Sequence, residues 1–150
     1  SNPTGAVMTP DAIDEVANIA AEHDVYLLSD EIYARMVFEG GNHFHSPAIL
    51  DRCKERTIII NGFSKAFAMT GWRLGVAIGP EEVVGKMGLV VQTIVSCVPP
   101  FVQRAGIEAI EGDQAAIMEM RAASQQRRDA LVEGLNQIPG INCVIETSRM

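Results

Sequence analysis

Three short apolar runs constrain the fold of this 150-residue chain more than any other feature. They occupy residues 25–28, 57–60 and 74–78, and in each the apolar residues are continuous instead of alternating with polar ones. Continuous runs are typical of strands that are covered on both faces, whereas half-exposed strands alternate. We therefore expect an α/β fold, with a mostly parallel central sheet flanked by helices.

Helical signals lie before and after these runs. Thr9 followed by Pro10 is a typical helix start, because the hydroxyl can cap and proline suits the first helical position. Apolar residues then recur at helical spacing on one face, and His23 and Asp24 are expected to end this helix. The expected starts of the later helices are Pro80, Pro100 and residues 112–113, and the last of them should run to about Gln137.

An amine, a hydroxyl and a guanidinium lie close together in residues 61–75, among glycines and other small residues. Lys65 directly follows Ser64, and Arg73 comes later in the same segment. A lysine forms a Schiff base only as the neutral amine, a state that desolvation or a neighbouring cation favours. Arg73 can be this cation, and its planar fork also suits a phosphate that Ser64 can bind from the other side. The segment is therefore suited to hold a phosphorylated aldehyde.

A carboxylate and a phenol, Asp30 and Tyr33, follow the first apolar run where a strand is expected to end. Ser64 and Lys65 follow the second run in the same way, and ligands of open α/β sheets bind beyond the carboxyl ends of strands. Asp30 and Tyr33 are three positions apart, which would place them on opposite faces of a continuous strand. We therefore expect the chain to bend after Asp30, so that both side chains reach one ligand.

Three motifs, in this order and at this spacing, resemble those of class I pyridoxal-phosphate aminotransferases, particularly the aspartate-aminotransferase-like branch. They are Asn2-Pro3-Thr4-Gly5, Ser29-Asp30-Glu31-Ile32-Tyr33 and the segment 61–75. The resemblance extends to about residue 140. It implies the large domain of fold type I, pyridoxal phosphate as cofactor, and amino-group transfer between an amino acid and a 2-oxo acid.

The resemblance also implies a role for each candidate residue. Lys65 would form the Schiff base with pyridoxal phosphate and move the proton between the substrate and the cofactor. Asp30 would pair with the pyridinium nitrogen, because a protonated ring is the better electron sink. The other implied cofactor ligands are Tyr33 and Asn2 at the phenolic oxygen, and Ser64 and Arg73 at the phosphate.

By the same resemblance, the chain is expected to be an internal part of a longer enzyme. Residues 1–112 would belong to the cofactor-binding large domain, 113–138 to a long connecting helix, and 139–150 to the start of the small C-terminal domain, with a strand beginning at Ile141. Active sites of this family lie between subunits, so a homodimer is implied. The residues that select the amino acid would lie outside this chain.

Two other classes of function stay open. A pyridoxal-phosphate lyase or synthase can share the fold and the lysine, although Tyr33 favours transamination. An aminotransferase-like sensory domain of a transcription regulator is the third reading. The site residues also have structural explanations: Asp30 can cap a helix or pair with an arginine, Arg73 can pair with Glu31, and Trp72 can serve packing.

Bulk composition excludes other classes. A net charge of −7 and a pI near 4.9 argue against nucleic-acid binding, and no apolar run is long enough for a membrane span. Three widely spaced cysteines, Cys53, Cys97 and Cys143, form neither a metal motif nor a disulfide framework, which predicts reduced thiols in the cytoplasm. The histidines His23, His43 and His45 lack the clustered partners of a metal site.

Overall fold

The computed structural model describes residues 2–38 and 44–145. The strands within these residues are β1 (Leu27–Asp30), β2 (Thr57–Gly62) and β3 (Gly75–Ile78). The α-helices are α1 (Pro10–Glu22), α2 (Ala48–Asp51), α3 (Glu81–Val95), α4 (Pro100–Glu111) and α5 (Ala115–Asn136). Two short 3-10 helices, Ala34–Met36 and Thr70–Trp72, follow β1 and precede β3.

The described strands form one sheet in the order β1-β2-β3. β1 runs parallel to β2, with Asp30 opposite Ile60, whereas β3 runs antiparallel to β2, with Gly75 opposite Gly62. The predicted α/β fold is confirmed, but the sheet is mixed where the sequence predicted a mostly parallel one. A continuous apolar run predicts that a strand is covered on both faces, but it does not predict whether the strand runs parallel or antiparallel to its neighbour. Residues 63–74 contain no full crossover helix, the element that usually joins parallel neighbours.

The predicted helix starts at Pro10 and Pro100 are confirmed, and α3 and α5 begin shortly after their predicted starts, at Glu81 and Ala115. The Thr9 hydroxyl oxygen accepts a hydrogen bond from the Ala12 N–H at 3.3 Å, and Pro10 is the first helical residue of α1. α1 ends at Glu22, with His23 as its C-terminal cap. α4 begins at Pro100, and α5 covers most of the span predicted for the long helix.

The best-covered part of the described sheet is β2, where Thr57, Ile58 and Gly62 are buried. Leu28 of β1 and Ile78 of β3 are 63% and 53% exposed. Cover on both faces, which the continuous runs predicted for all three strands, is thus approached only in β2. β1 and β3 are the two edges of the described sheet.

Helix α4 packs closely against the segment that follows β2. Phe63 and Val102 are 4% and 5% exposed, and both belong to the small core. A Cβ added at Gly106 would lie 2.5 Å from Cδ2 of Leu74 and 3.5 Å from the Phe63 ring, so glycine permits this approach. The packing fixes the start of the segment that carries Ser64 and Lys65.

The strand predicted at Ile141 is absent from the described residues, where 141–145 are irregular, and 146–150 lie outside them. The backbone there bonds to a side chain instead of a neighbouring strand. The Asn136 amide donates to the Cys143 carbonyl at 2.9 Å and accepts from the Cys143 N–H at 2.7 Å. An apolar run becomes a strand only where a partner strand pairs with it. Across the described ranges, no helix is both long and apolar enough to cross a membrane.

Candidate active site

Residues from all three motifs meet around Tyr33. The Nζ of Lys65 lies 5.7 Å from the centroid of the Tyr33 ring. The side-chain amide of Asn2 donates a hydrogen bond to the Tyr33 hydroxyl at 3.4 Å. Tyr33 stands directly before the 3-10 helix Ala34–Met36. An amine, a phenol and an amide are thus grouped, although their residues are far apart in the sequence.

Asp30 is the last residue of β1, and the predicted bend begins immediately after it. The Glu31 N–H makes a ladder bond to the Ile60 carbonyl at 2.8 Å, and the Ala34 N–H then closes a turn onto the Glu31 carbonyl at 2.9 Å. Asp30 and Tyr33 consequently line the same cavity of about 690 Å³, together with Asn2. The predicted bend after Asp30 is confirmed, whereas binding of one ligand by both side chains stays a prediction.

The predicted phosphate-binding residues are joined through a residue that the sequence analysis missed. The Thr70 hydroxyl donates to the Ser64 carbonyl at 3.0 Å, and Nη1 of Arg73 donates to the Thr70 carbonyl at 3.0 Å. Arg73 has φ +53° and ψ +46°, the left-handed conformation, at the end of the second 3-10 helix. The signal that could have indicated Thr70 is a hydroxyl residue inside the same motif, between Ser64 and Arg73.

Arg73 lines a different cavity from Asp30 and Tyr33. This second cavity has a volume of about 720 Å³, and Trp72 and Phe101 also line it. The structure therefore brings Asn2, Asp30 and Tyr33 to one cavity, with Lys65 beside the Tyr33 ring, whereas Arg73 lines the other cavity. The adjacent residues Ser64 and Lys65 connect the two groups, since one contacts the Thr70–Arg73 turn and the other contacts Tyr33.

The structure supports only some of the purely structural roles that were considered for Arg73, Asp30 and Trp72. Arg73 does not pair with Glu31, because the Glu31 carboxylate accepts hydrogen bonds from the hydroxyls of Ser46 and Ser29 at 2.6 and 3.3 Å. Asp30 does have a local structural role, since its Oδ1 accepts the Ile32 N–H at 3.1 Å. Trp72 is 46% exposed, so its proposed packing role is only partly fulfilled within the described residues.

The described part of the chain contains no cluster of three or more His, Cys, Asp or Glu side chains suited to a metal ion. His45 instead pairs with Asp14, with Nε2 and Oδ1 2.7 Å apart, and His43 lies outside the described residues. All three cysteines are free thiols. Burial raises the pKa of the Cys53 thiol, and the nearby Asp51 and Glu31 carboxylates add to this increase.

Comparison with known proteins agrees with the motifs. The family model of aminotransferase class I and II matches residues 1–150. The aspartate aminotransferase of Musicola paradisiaca is 41% identical over 145 residues, which are 97% of this chain and 36% of that protein. The aromatic-amino-acid aminotransferase 2 of Thermococcus litoralis is 44% identical over 140 residues, or 92% of this chain and 36% of the relative.

Solved structures show the same similarity. The aspartate aminotransferase from Rhizobium meliloti matches with a TM-score of 0.89 at 36% identity, over 99% of this chain and 38% of that one. The Thermus thermophilus aspartate aminotransferase with maleate matches with a TM-score of 0.84 at 41% identity, over 91% of this chain and 36% of that one. The chain thus spans a little over a third of the proteins that it matches. With the fold and the family model in agreement, this chain belongs to the class I and II aminotransferases, a family of pyridoxal-phosphate-dependent enzymes of fold type I.

Proposed function

We propose that this chain supplies the cofactor-binding part of an aminotransferase that moves an amino group between an amino acid and a 2-oxo acid. The observation that carries the proposal is the grouping of Lys65, Tyr33 and Asn2, in which three separate sequence motifs contribute to one site. The family match supports the same reading, because the relatives are named as aminotransferases.

The chemistry of the side chains fits pyridoxal phosphate. Lys65 offers an amine for the aldehyde, and Asp30 offers a carboxylate for the pyridine nitrogen. The Tyr33 hydroxyl and the Asn2 amide can bind the phenolic oxygen. Ser64 and Arg73 offer a hydroxyl and a cation for the phosphate. When bound, this cofactor supplies an electron sink for the charge that remains after an α-proton is removed.

The protein's own groups have distinct tasks in this proposal. The negative charge of Asp30 would keep the ring nitrogen protonated, and the amide of Asn2, which donates to the Tyr33 hydroxyl, would orient that hydroxyl. The Nζ of Lys65 would hold the cofactor. Once the amino group of the substrate has displaced it, the freed amine could take the proton that leaves the α-carbon, a step for which it must lie within hydrogen-bond reach. Tyr33 lies beside this amine and can limit the directions from which it approaches.

The attachment is tested by borohydride reduction, which fixes a pyridoxal group permanently to the amine that holds it. The chain contains only three lysines, Lys54, Lys65 and Lys86, so peptide mass mapping resolves them. We expect the label on Lys65, complete loss of the label in Lys65→Ala, and no loss in the matched control Lys86→Ala. A label on another lysine, or none with excess pyridoxal phosphate, would overturn the assignment.

Turnover requires a separate test, because the chain spans 36% of the Musicola paradisiaca enzyme. A hybrid in which this chain replaces the matching segment of that enzyme would be assayed with aspartate and 2-oxoglutarate. We expect amino transfer by the hybrid and by its Lys86→Ala variant, and none by Lys65→Ala. Persisting turnover in a cofactor-loaded Lys65→Ala hybrid would contradict the proposal.

Three further features belong to this proposal. The division into a large domain up to residue 112, a connecting helix and a small domain from residue 139 remains a prediction, as does a homodimer. A cytoplasmic location also remains a prediction, based on three widely spaced cysteines that form no disulfide pattern in the sequence. Sedimentation of the hybrid, with and without cofactor, measures whether it dimerises.

A further inference from the structure

Glu31 is a buried acidic residue of the second motif, and neither the family resemblance nor the proposed function assigns it a role in the site. Glu31 is 7% exposed, and its carboxylate accepts hydrogen bonds from the hydroxyls of Ser46 and Ser29. No arginine, lysine or histidine forms an ion pair with it within residues 2–38 and 44–145. A buried carboxylate without its hydrogen bonds would be costly, so the two hydroxyls largely decide whether this conformation can exist.

The bond from Ser46 ties two separate parts of the chain together. Ser46 precedes α2 and is 15 positions from Glu31, and its hydroxyl lies 2.6 Å from Oε1 of the carboxylate. The neighbouring His45 is anchored on α1 through Asp14. His45 therefore fixes this segment to α1, and the next residue, Ser46, connects the segment to Glu31.

Glu31 occupies the position where the backbone leaves the sheet. Its N–H makes a ladder bond to Ile60, and its carbonyl accepts the turn bond from Ala34. A residue whose backbone belongs to both the strand and the turn fixes the angle between them, provided that its side chain is also held. This angle determines whether Asp30 and Tyr33 line one cavity, because in a continuous strand their side chains would point to opposite faces.

We propose that Glu31, held by Ser46 and Ser29, is a positioning residue of this site, which sets the bend that brings Asp30 and Tyr33 to the same cavity. It acts on the placement of Asp30 and Tyr33, whose cavity Glu31 also lines. The proposal rests on the proposed function only for the roles of Asp30 and Tyr33. The bend and the buried hydrogen bonds stand independently of any cofactor.

The first test follows the bend directly, by hydrogen exchange of the amides in residues 32–36. Ser46→Ala removes one hydroxyl, and we expect these amides to exchange about tenfold faster or more, the size of effect typical for loss of a hydrogen bond to a charged group. Ser46→Thr keeps a hydroxyl and should restore slow exchange. Ser124→Ala in α5 is the matched control, and amides of β2 serve as the internal reference.

The second test uses the visible spectrum of lysine-bound pyridoxal phosphate, which reports the proton shared by the linking nitrogen and the phenolic oxygen. If Glu31 acts through Tyr33, Ser46→Ala and Tyr33→Phe should shift the pH dependence of the absorbance in the same direction. The double variant should then show less than the sum of the two shifts, because both changes act on one interaction. Glu31→Gln, which keeps the shape and one acceptor oxygen, should lie between Ser46→Ala and the unsubstituted chain.

The outcomes separate the two proposals. Unchanged exchange at residues 32–36 in Ser46→Ala, or additive spectral shifts, would overturn the positioning role. Absence of any lysine-bound cofactor in the unsubstituted chain would overturn the proposed function instead, and hydrogen exchange would still decide the role of Glu31. If Glu31→Gln fails to fold, the single hydroxyl removed in Ser46→Ala provides the same test.

Discussion

The carboxylate of Asp51 accepts a hydrogen bond from the backbone N–H of Thr57 at 2.8 Å, which ties the end of α2 to the first residue of β2. The same carboxylate also accepts from the N–H groups of Arg56 and Cys53, at 2.9 Å each. Burial raises the pKa of Asp51, but these hydrogen bonds lower it by more, so the net pKa lies below its ordinary value. Asp51 thus holds the loop that leads into the central strand.

Asp51→Asn is expected to lower the free energy of unfolding at pH 7 by about 1–2 kcal/mol, because an amide lacks the charge and offers one acceptor oxygen fewer. A lowered folded-state pKa stabilises the fold above the unfolded value near 3.8, and this contribution is lost as the pH falls through the folded pKa. The difference between the variant and the unsubstituted chain should therefore shrink below about pH 4. Urea unfolding at several pH values measures this difference in the free energy of unfolding. An equal loss in the control Asp11→Asn would contradict this role.

Tyr33→Phe removes the hydroxyl that accepts the Asn2 amide but keeps the ring beside Lys65. We expect the chain to stay folded and to hold pyridoxal phosphate roughly tenfold less tightly, as for the loss of one well-placed hydrogen bond. Equilibrium titration followed by absorbance measures the affinity. Tyr26→Phe is the matched control, since Tyr26 is 60% exposed and lies outside the site. Equal affinities for the two variants would argue against a cofactor contact at the Tyr33 hydroxyl.

Asp30→Asn should separate folding from chemistry. The amide oxygen of asparagine can still accept the Ile32 N–H, so the turn after β1 is expected to persist. It cannot supply the negative charge that favours a protonated ring nitrogen, so removal of the α-proton should slow by about a hundredfold or more. Single-turnover measurements in the hybrid enzyme test this step. A nearly normal rate, with cofactor bound, would exclude the proposed role of Asp30.

Gly112→Ala is expected to destabilise the junction between α4 and α5. A Cβ at this position would lie 2.5 Å from the backbone carbonyl oxygen of Glu108, which the Gly112 N–H itself binds at 2.8 Å. A backbone atom cannot move aside without disturbing the helix end, so we expect a loss of about 1–3 kcal/mol. Gly85→Ala in α3 meets nothing within 4 Å and should be neutral, or stabilising by up to about 1 kcal/mol. Thermal unfolding compares the two, and the proposed clash requires the Gly112 variant to melt lower.

Sequence reasoning was strongest where a local rule determined the structure. The Thr9–Pro10 start, the break before Pro100 and the bend after Asp30 follow from capping, from proline geometry and from strand alternation, and all are present. Structural features that depend on partners distant in the sequence were harder to predict. The antiparallel direction of β3 and the irregular backbone after Ile141 depend on which strands lie alongside, and no local pattern encodes that.

The candidate site shows the same division. The motif residues were proposed from their type, their spacing and the family resemblance, and the bend was expected because Asp30 and Tyr33 could not otherwise reach one ligand. Thr70 and Ser46 were missed. The Thr70 hydroxyl binds a backbone carbonyl, that of Ser64, and the Ser46 hydroxyl binds Glu31, which is 15 positions away. A hydroxyl on a loop is a common surface residue, and only the folded structure shows what it holds.

The left-handed backbone of Arg73 places stability and activity in opposition at one position. For a residue with a side chain this conformation costs about 1 kcal/mol or more, and glycine would adopt it without that cost. Arg73→Gly would therefore relax the backbone while removing the cation proposed to bind the phosphate. A laboratory selection for thermal stability alone would favour the loss of that arginine, whereas selection for activity would retain it together with its strain.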